Sequence, residues 1–132
     1  MEALFCGIDV GTQGARCVLV TENGRPVARG RAAFPSVKAS LPEGWFEQEP
    51  GGWLYAVREA LGGVLGDAEA DAVAAVGVTS TSGTVCALDA GHRVLMPAIM
   101  YNDARSEAEA REVQTAARNL TDRLGYRFSP SF

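Results

Sequence analysis

The stretch Leu4–Arg16, read as LFCGIDVGTQGAR, decides the fold of this chain. Its apolar first part ends at Val10, carries one carboxylate, Asp9, and runs into a glycine-rich bend. A second apolar run, Ala15–Val20, follows directly and has the residue types of a strand. A glycine loop that opens a helix holds phosphate at the helix N-terminus, so this bend is of a different kind. The stretch predicts a strand–turn–strand unit.

The bend Gly11-Thr12-Gln13-Gly14 has the chemistry of a phosphate loop. Its glycines can take positive φ angles and let a ligand approach closely. The Thr12 hydroxyl can donate to an anionic oxygen, and successive N–H groups form an anion-binding nest. Asp9 at the mouth suits Mg²⁺ or its water shell, and Arg16 can neutralise a transferring group. A hairpin turn that only reverses the chain is the competing interpretation.

Length and composition describe one ordinary globular domain. The chain has 132 residues, of which 47% are hydrophobic and 21% charged, and its net charge is −4. This acidic balance, without a basic run, argues against nucleic acid or an anionic membrane as partner. The N-terminal residues resemble neither a signal peptide nor a membrane span, so we expect a cytoplasmic protein.

The cysteines and the histidine argue against two kinds of site. Cys6, Cys17 and Cys86 stand singly in apolar runs, without the spacing of metal ligands, and predict buried, reduced thiols. His92 is the only histidine. A His-centred triad or a zinc site is therefore not expected.

The first half of the chain predicts three strands, a helix and a fourth strand. Asn-Gly at 23–24 predicts a hairpin between Ala15–Thr21 and Pro26–Phe34. Pro50 suits the first position of a helix, whereas residues 35–49 and 67–71 are interpreted as irregular connections. Ala72–Thr79 predicts a buried strand. This order indicates an α/β, ribonuclease H-like (actin-like ATPase) domain with a mixed sheet led by three antiparallel strands.

The second half predicts a hairpin and two helical segments. The hairpin would join residues 85–88 to residues 94–96. Ser106 and Glu109 fit a capping box for a helix over Ala108–Arg118, and a further turn would stop at Gly125. The small polar segment Ser80–Thr84 follows a strand at its carboxyl end, where α/β folds place ligands, although an ordinary turn is an alternative.

Several separated stretches resemble the FGGY family of carbohydrate kinases, part of the sugar kinase–Hsp70–actin superfamily. GIDVGTQGAR (7–16) resembles the first phosphate motif of that family, and GWFEQEPGGW (44–53) resembles its stretch before the first helix. VGVTSTSGTVCALDAGHRVLMPAIMYNDAR (76–105) is similar to its strand, substrate segment, hairpin and W-x-D-x-R motif in succession. GYRFSPSF (125–132) is similar to the segment after the next helix. The resemblance covers nearly the whole chain in matching order.

The resemblance implies an ATP-dependent kinase for a sugar or polyol hydroxyl, with two domains around a cleft. Residues 1–132 would be the N-terminal part of its first domain, without the nucleotide domain. Asp9 matches the acidic residue near Mg²⁺ and the phosphates. The positions implied to bind phosphate or ATP are Gly11, Thr12, Gln13 and Arg16.

The resemblance also implies a sugar site. Thr81, Ser82 and Gly83 fall at the substrate segment, Tyr101 falls where many members place a tryptophan, and Asp103 matches the acidic residue of the same motif. A buried aromatic at position 101 and a helix cap at position 103 are the alternatives. The segment lacks the Arg-Glu pair of glycerol kinases and the histidine of xylulokinases. It looks more like a ribulose-type or other pentulose kinase, with xylulose kept open.

The general base of the family is an aspartate further along than residue 132, so we expect this chain alone to be inactive. Exposed apolar surface would favour association, for example as a homo-oligomer. Two other functions stay open. A ribonuclease H-fold nuclease also begins with an Asp on its first strand, but only Asp103 offers a partner carboxylate. A non-catalytic sugar-binding module is the other.

Overall fold

A computed structural model describes residues 2–35 and 40–130, which form two compact units. Within the described residues, the first unit combines residues 2–35 with 50–81, and the second combines residues 40–49 with 82–130. In chain order the elements are β1 Leu4–Val10, β2 Gly14–Thr21, β3 Pro26–Ala33, β4 Glu47–Gln48, α1 Pro50–Gly62, α2 Asp67–Ala72, β5 Val73–Ser80, β6 Ala98–Ile99, α3 Glu107–Ala116 and α4 Arg118–Leu124.

The first unit is built on a four-stranded sheet in the order β3-β2-β1-β5. The β1/β2 and β2/β3 pairs are antiparallel, and β5 is parallel to β1. This is the mixed sheet with three leading antiparallel strands that the sequence predicted. The register places Asp9 opposite Arg16 on β2 and opposite Thr79 on β5.

The core of the first unit lies between one face of this sheet and α1. Alternate residues of β1 and β2 point to that face, as the two-residue period of a strand requires. The buried members are Leu4, Cys6, Ile8, Ala15, Cys17, Leu19, Ala56, Ala60 and Val64. Gly30 lets α1 approach β3 closely, because a Cβ there would overlap the carbonyl oxygen of Ala60.

The second unit contains β4 paired with β6 and the helices α3 and α4. Glu47 pairs with Ile99 and Gln48 with Ala98 in an antiparallel arrangement. Helix α4 ends at Gly125, which has a φ of 64°, as the sequence predicted for a glycine stop. Among the described residues, none of the helices is long and apolar enough to cross a membrane.

Several predictions about elements were wrong. Residues 67–71, interpreted as a polar connection, lie in α2, and the interpreted loop 35–49, of which residues 36–39 lie outside the described part, contains β4. The second hairpin, by contrast, is present but short: Leu88 and Val94 form an antiparallel bridge, and the N–H groups of Asp89 and Leu95 donate to the carbonyls of Arg93 and Ala87 at 3.0 Å. Ser106 does not cap α3 through its side chain: its Oγ donates to the carbonyl oxygen of Pro130 at 3.0 Å. At β4 and at Ser106 a partner distant in sequence outweighed the local pattern, and at residues 67–71 a short local helix did.

Burial also differs from the prediction at two places. Cys6 and Cys17 are buried free thiols, and burial raises the pKa of both, but Cys86 is only half-buried. Strand β5 was predicted to be buried, yet Val76 and Val78 are 57% and 68% exposed. Helix α1 packs mainly on β2 and β3, which explains why the apolar side chains of β5 are left uncovered.

Candidate active site

Asp9 and Arg16 form an ion pair on the sheet face that α1 does not cover. The two residues are register partners on β1 and β2, and Arg16 Nη1 lies 2.8 Å from Asp9 Oδ2. The side chains are 43% and 69% exposed, respectively. An exposed pair of this kind contributes little to stability. Because both side chains are exposed, both charges are accessible to a ligand, as phosphate binding requires.

An open groove of about 710 Å³ lies along this face of the sheet. Gly7 of β1 and Gly77 of β5 are register partners on its floor, where the backbone carries no side chain. Its charged lining residues are Asp9, Arg16, Arg29 and Arg31. Three arginines against one carboxylate make the groove positively charged, which suits an anionic ligand.

The bend after β1 is a hydrogen-bonded turn. The Gly11 N–H donates to the Gly14 carbonyl at 3.0 Å, and the Phe34 N–H donates to the Gln13 carbonyl at 3.0 Å. Gly11 and Gly14 do not adopt the positive φ angles that a glycine can take in such a bend. Gly14 is instead required by packing, because a Cβ there would overlap the backbone of Ala32 on β3. Phosphate binding by this bend, including the exposed Thr12 and Gln13, stays a prediction.

Asp9 is compatible with a magnesium ion whose other ligands are phosphate oxygens and waters. The described residues contain no group of three or more His, Cys, Asp or Glu side chains that could hold a metal ion. Mg²⁺, however, is usually bound through one or two carboxylates together with waters and phosphate oxygens. One accessible carboxylate therefore fits such an ion, whereas it would not fit a metal held by protein ligands alone.

The predicted substrate segment begins beside the end of β1. The Thr81 N–H donates to the Val10 carbonyl at 3.3 Å, which extends the β1/β5 pairing by one residue. Thr81 belongs to the first unit, and the turn containing Ser82 and Gly83 belongs to the second. Gly83 has a φ of 77°, a conformation that side chains rarely adopt. Sugar binding by these three residues stays a prediction.

Tyr101 lies at the tip of a turn in the second unit. The turn is closed by the Asp103 N–H, which donates to the Met100 carbonyl at 3.0 Å. Tyr101 is 37% exposed, so the alternative of a buried aromatic is wrong. The Met100 N–H donates to the Phe46 carbonyl at 2.9 Å, and the Ala104 N–H donates to the Gly44 carbonyl at 2.8 Å. The turn is thus tied at both ends to the segment before β4.

Asp103, two residues after Tyr101, is buried and bound by Arg105. Its carboxylate accepts hydrogen bonds from the Arg105 side chain and from the backbone N–H groups of Phe46 and Arg105. Mainly because of the Arg105 side chain, the pKa of Asp103 falls to about 2 from its ordinary 3.8. Asp103 and Glu47 in turn raise the pKa of Arg105. Direct contact between Asp103 and a sugar stays a prediction.

None of Trp45, Glu47 and Arg105 was predicted as a site residue, although all three surround Asp103. The Arg105 guanidinium lies 3.9 Å from the ring centre of Trp45, and its Nη2 lies 2.8 Å from Glu47 Oε1. The signal was present in the sequence, because the two stretches that carry these residues both resemble motifs of one family. Nothing in their spacing, however, indicates that residues 57 to 58 positions apart in the chain meet.

Comparison with known families decides the affiliation. Residues 4–132 match the N-terminal domain of the FGGY family of carbohydrate kinases. The chain belongs to this family. The predicted affiliation is thus confirmed over nearly the whole sequence.

Individual members of the FGGY family agree with this affiliation. Xylulose kinase of Escherichia coli K12 is 37% identical over 108 residues, which cover 80% of this chain and 22% of that protein. Xylulose kinase of Arthrobacter sp. strain NRRL B3728 is 35% identical over 104 residues, which cover 78% of this chain and 97% of that sequence. The chain therefore spans about a fifth of the Escherichia coli relative.

A solved structure confirms the predicted fold. The crystal structure of a xyloylose kinase from Brucella ovis superposes with a TM-score of 0.85 at 32% identity, covering 98% of this chain and 27% of that chain. The α/β, actin-like ATPase fold with a mixed sheet is therefore confirmed. The family affiliation also favours a role in carbohydrate metabolism over the ribonuclease H-fold nuclease.

Proposed function

We propose that this chain is part of a cytoplasmic, ATP-dependent kinase that phosphorylates a hydroxyl group of a pentulose. The observation that carries the proposal is the accessible Asp9–Arg16 pair beside a positively charged groove, in a chain that belongs to a family of carbohydrate kinases. Phosphoryl transfer needs positioning and charge neutralisation more than covalent chemistry, and these groups can supply both.

The phosphate would be bound at the β1–β2 turn. Arg16 would neutralise its charge, and Thr12, Gln13 and the backbone at Gly11 would position it. Asp9 would hold Mg²⁺ directly or through water. When bound, that ion would neutralise charge on the transferring phosphoryl group.

The sugar would be bound by Thr81, Ser82, Gly83 and the exposed Tyr101, with Asp103 as part of the same site. Hydroxyl groups suit the polar segment, and the Tyr101 ring suits the carbon face of a sugar. The general base would come from an aspartate outside residues 1–132, so this chain alone would not catalyse the reaction.

Xylulose is the first substrate to test and ribulose is the second. The relatives from Escherichia coli and Arthrobacter are both named xylulose kinases. The substrate segment, however, contains no histidine, whereas the family resemblance predicts one there for a xylulokinase; it reads Thr81-Ser82-Gly83-Thr84. We therefore propose a pentulose as the substrate, with xylulose as the leading candidate.

The test is an ADP-release assay on the complete protein that contains this chain, with xylulose, ribulose, gluconate and glycerol as substrates. We expect turnover with a pentulose, and we expect Asp9→Asn to reduce kcat about 10²–10³-fold, because charge stabilisation of the transferring group is lost. The KM for the sugar should change little.

The matched control is Glu107→Gln. Glu107 forms a similarly exposed ion pair with Arg111 at 2.9 Å on α3, which belongs to the second unit, whereas Asp9 belongs to the first. It should leave kcat unchanged. Turnover of Asp9→Asn equal to that of the control would refute the role given to Asp9, and phosphorylation of none of the four substrates would refute the proposed function.

A further inference from the structure

Every acceptor position of the Asp103 carboxylate is occupied. Oδ1 accepts from the Arg105 backbone N–H at 2.9 Å and from Arg105 Nε at 2.8 Å. Oδ2 accepts from Arg105 Nη2 at 2.8 Å and from the Phe46 N–H at 2.7 Å. A carboxylate has about four lone-pair sites, and this residue is 3% exposed. No acceptor position is left for a sugar hydroxyl.

The guanidinium of Arg105 joins two segments that are distant in the sequence. It forms the two bonds to Asp103, a third to Glu47 Oε1 at 2.8 Å, and lies over the ring of Trp45. We name Trp45, Glu47, Asp103 and Arg105 the Arg105 cluster. A planar fork that binds two carboxylates and stacks on an aromatic ring cannot be replaced by lysine.

The Arg105 cluster supports the turn that carries Tyr101. Asp103 closes the turn through its own N–H and anchors it to the Phe46 N–H, whereas Tyr101 and Asn102 at the tip are exposed. The base of the turn is therefore buried and bound by an ion pair, whereas its tip is exposed. Its position depends on the base.

We infer that Asp103 and Arg105 are positioning residues, which fix the turn and leave the contact with the sugar to its exposed tip. This inference rests on the proposed function, and it departs from the prediction that Asp103 binds the sugar. A residue of this kind acts on sugar binding only through the geometry of Tyr101 and Asn102.

The test compares Asp103→Asn, Arg105→Lys and the double variant in the complete protein. We expect each single variant to raise the sugar KM about tenfold, with the ATP KM within about twofold, because the tip of the turn loses its geometry. The double variant should raise the sugar KM no further than the stronger single variant, since both act through one network.

The matched controls are Asp89→Asn and Arg93→Lys. Asp89 accepts the Gly91 and Arg93 backbone N–H groups and forms a 2.7 Å ion pair with Arg93, so the bonding is alike, but Arg93 is exposed in another turn. Both control variants should keep the wild-type sugar KM. Glu47→Gln keeps an acceptor oxygen but removes the negative charge that faces Arg105, and it is the milder variant if Arg105→Lys does not fold.

A spectroscopic measurement tests the network without activity. This measurement uses the 132-residue chain with Trp53→Phe, in which Trp45 is the only tryptophan, because these 132 residues contain two. We expect Arg105→Lys to change the emission maximum of Trp45, since the guanidinium leaves its ring, while Arg93→Lys does not. An unchanged maximum would contradict the arrangement of the cluster.

Three results overturn the inference. A raised sugar KM in Asp103→Asn with a normal KM in Arg105→Lys would make Asp103 a direct ligand. Additive effects in the double variant would mean that the residues act separately. Variants with the sugar KM of the controls, in a wild-type protein that phosphorylates a pentulose, would show that the cluster has no effect on the sugar site. A wild-type protein without activity would instead refute the proposed function.

Discussion

At the residue scale, single contacts decide what a side chain can do. Asp9 and Asp103 are both aspartates that resemble site residues of one family, yet Asp9 is accessible and bound by one arginine, whereas Asp103 is buried and bound by four donors. The first can exchange its partner for a ligand. The second holds the structure around it.

The bonding of Asp103 predicts a pH dependence of stability. Its pKa is about 2 in the folded chain, below the ordinary 3.8, so its contribution is complete above the unfolded value and is lost as the pH falls through the folded value. We expect Asp103→Asn to lower the free energy of unfolding by about 2 kcal/mol near neutral pH. The difference from wild type should shrink between about pH 4 and pH 2.

Urea denaturation of both proteins over that pH range measures the difference. The comparison cancels the titration of the other carboxylates, since both chains contain them. A difference that stays constant down to about pH 2 would contradict the charged, fully bonded state of Asp103.

At the element scale, the fold depends on how closely α1 lies on β3. Gly30 faces Ala60 at this contact, and there is no room for a Cβ. Gly77 on β5 is also a strand glycine, but a Cβ there would meet nothing within 4 Å. A comparison of the two glycines therefore distinguishes the effect of helix–sheet packing, at Gly30, from the general effect of a glycine in a strand, at Gly77.

We expect Gly30→Ala to lower the free energy of unfolding by about 1–3 kcal/mol, because α1 must move away from the sheet. Gly77→Ala should be neutral or stabilise by up to about 1 kcal/mol, because it reduces the entropy of the unfolded chain. Equilibrium urea denaturation compares the two variants. Equal losses of stability would show that the close approach of α1 is not what Gly30 provides.

At the scale of the whole molecule, the first unit has two unlike sheet edges, β3 and β5. The edge strand β3 carries Pro26, Arg29 and Arg31, which discourage pairing with another chain. The edge strand β5, read as VAAVGVTS, has no charged residue and exposes Val76 and Val78. An uncharged apolar edge is a template for association.

We expect the 132-residue chain to associate with itself through β5. Sedimentation velocity should show a weight-average mass that rises with concentration, and Val78→Lys should reduce this rise, because a charge on the edge opposes pairing. Val27→Lys on β3, where the side chain is 47% exposed, is the matched control and should not. Equal effects of both substitutions would contradict association at β5.

Several elements could be predicted because they follow rules that act within a few residues of the chain. The first hairpin followed from Asn-Gly at 23–24, where Gly24 has a φ of 76° and its N–H donates to Thr21. The start of α1 at Pro50 and the end of α4 at Gly125 followed in the same way. Asp9 was recognised because it lies in one continuous motif with its partner Arg16. Interactions within a few residues suffice for each of these features.

The features that join distant segments could not be predicted and follow from the folded arrangement alone. The pairing of β4 with β6, the bond from Ser106 to Pro130 and the Arg105 cluster all connect residues more than 20 positions apart. The need for glycine at positions 14 and 30 was also invisible in the sequence, because it comes from backbone atoms of Ala32 and Ala60 that leave no room for a Cβ. A local pattern carries no information about which distant backbone or carboxylate will be adjacent, because burial and register are properties of the assembled fold.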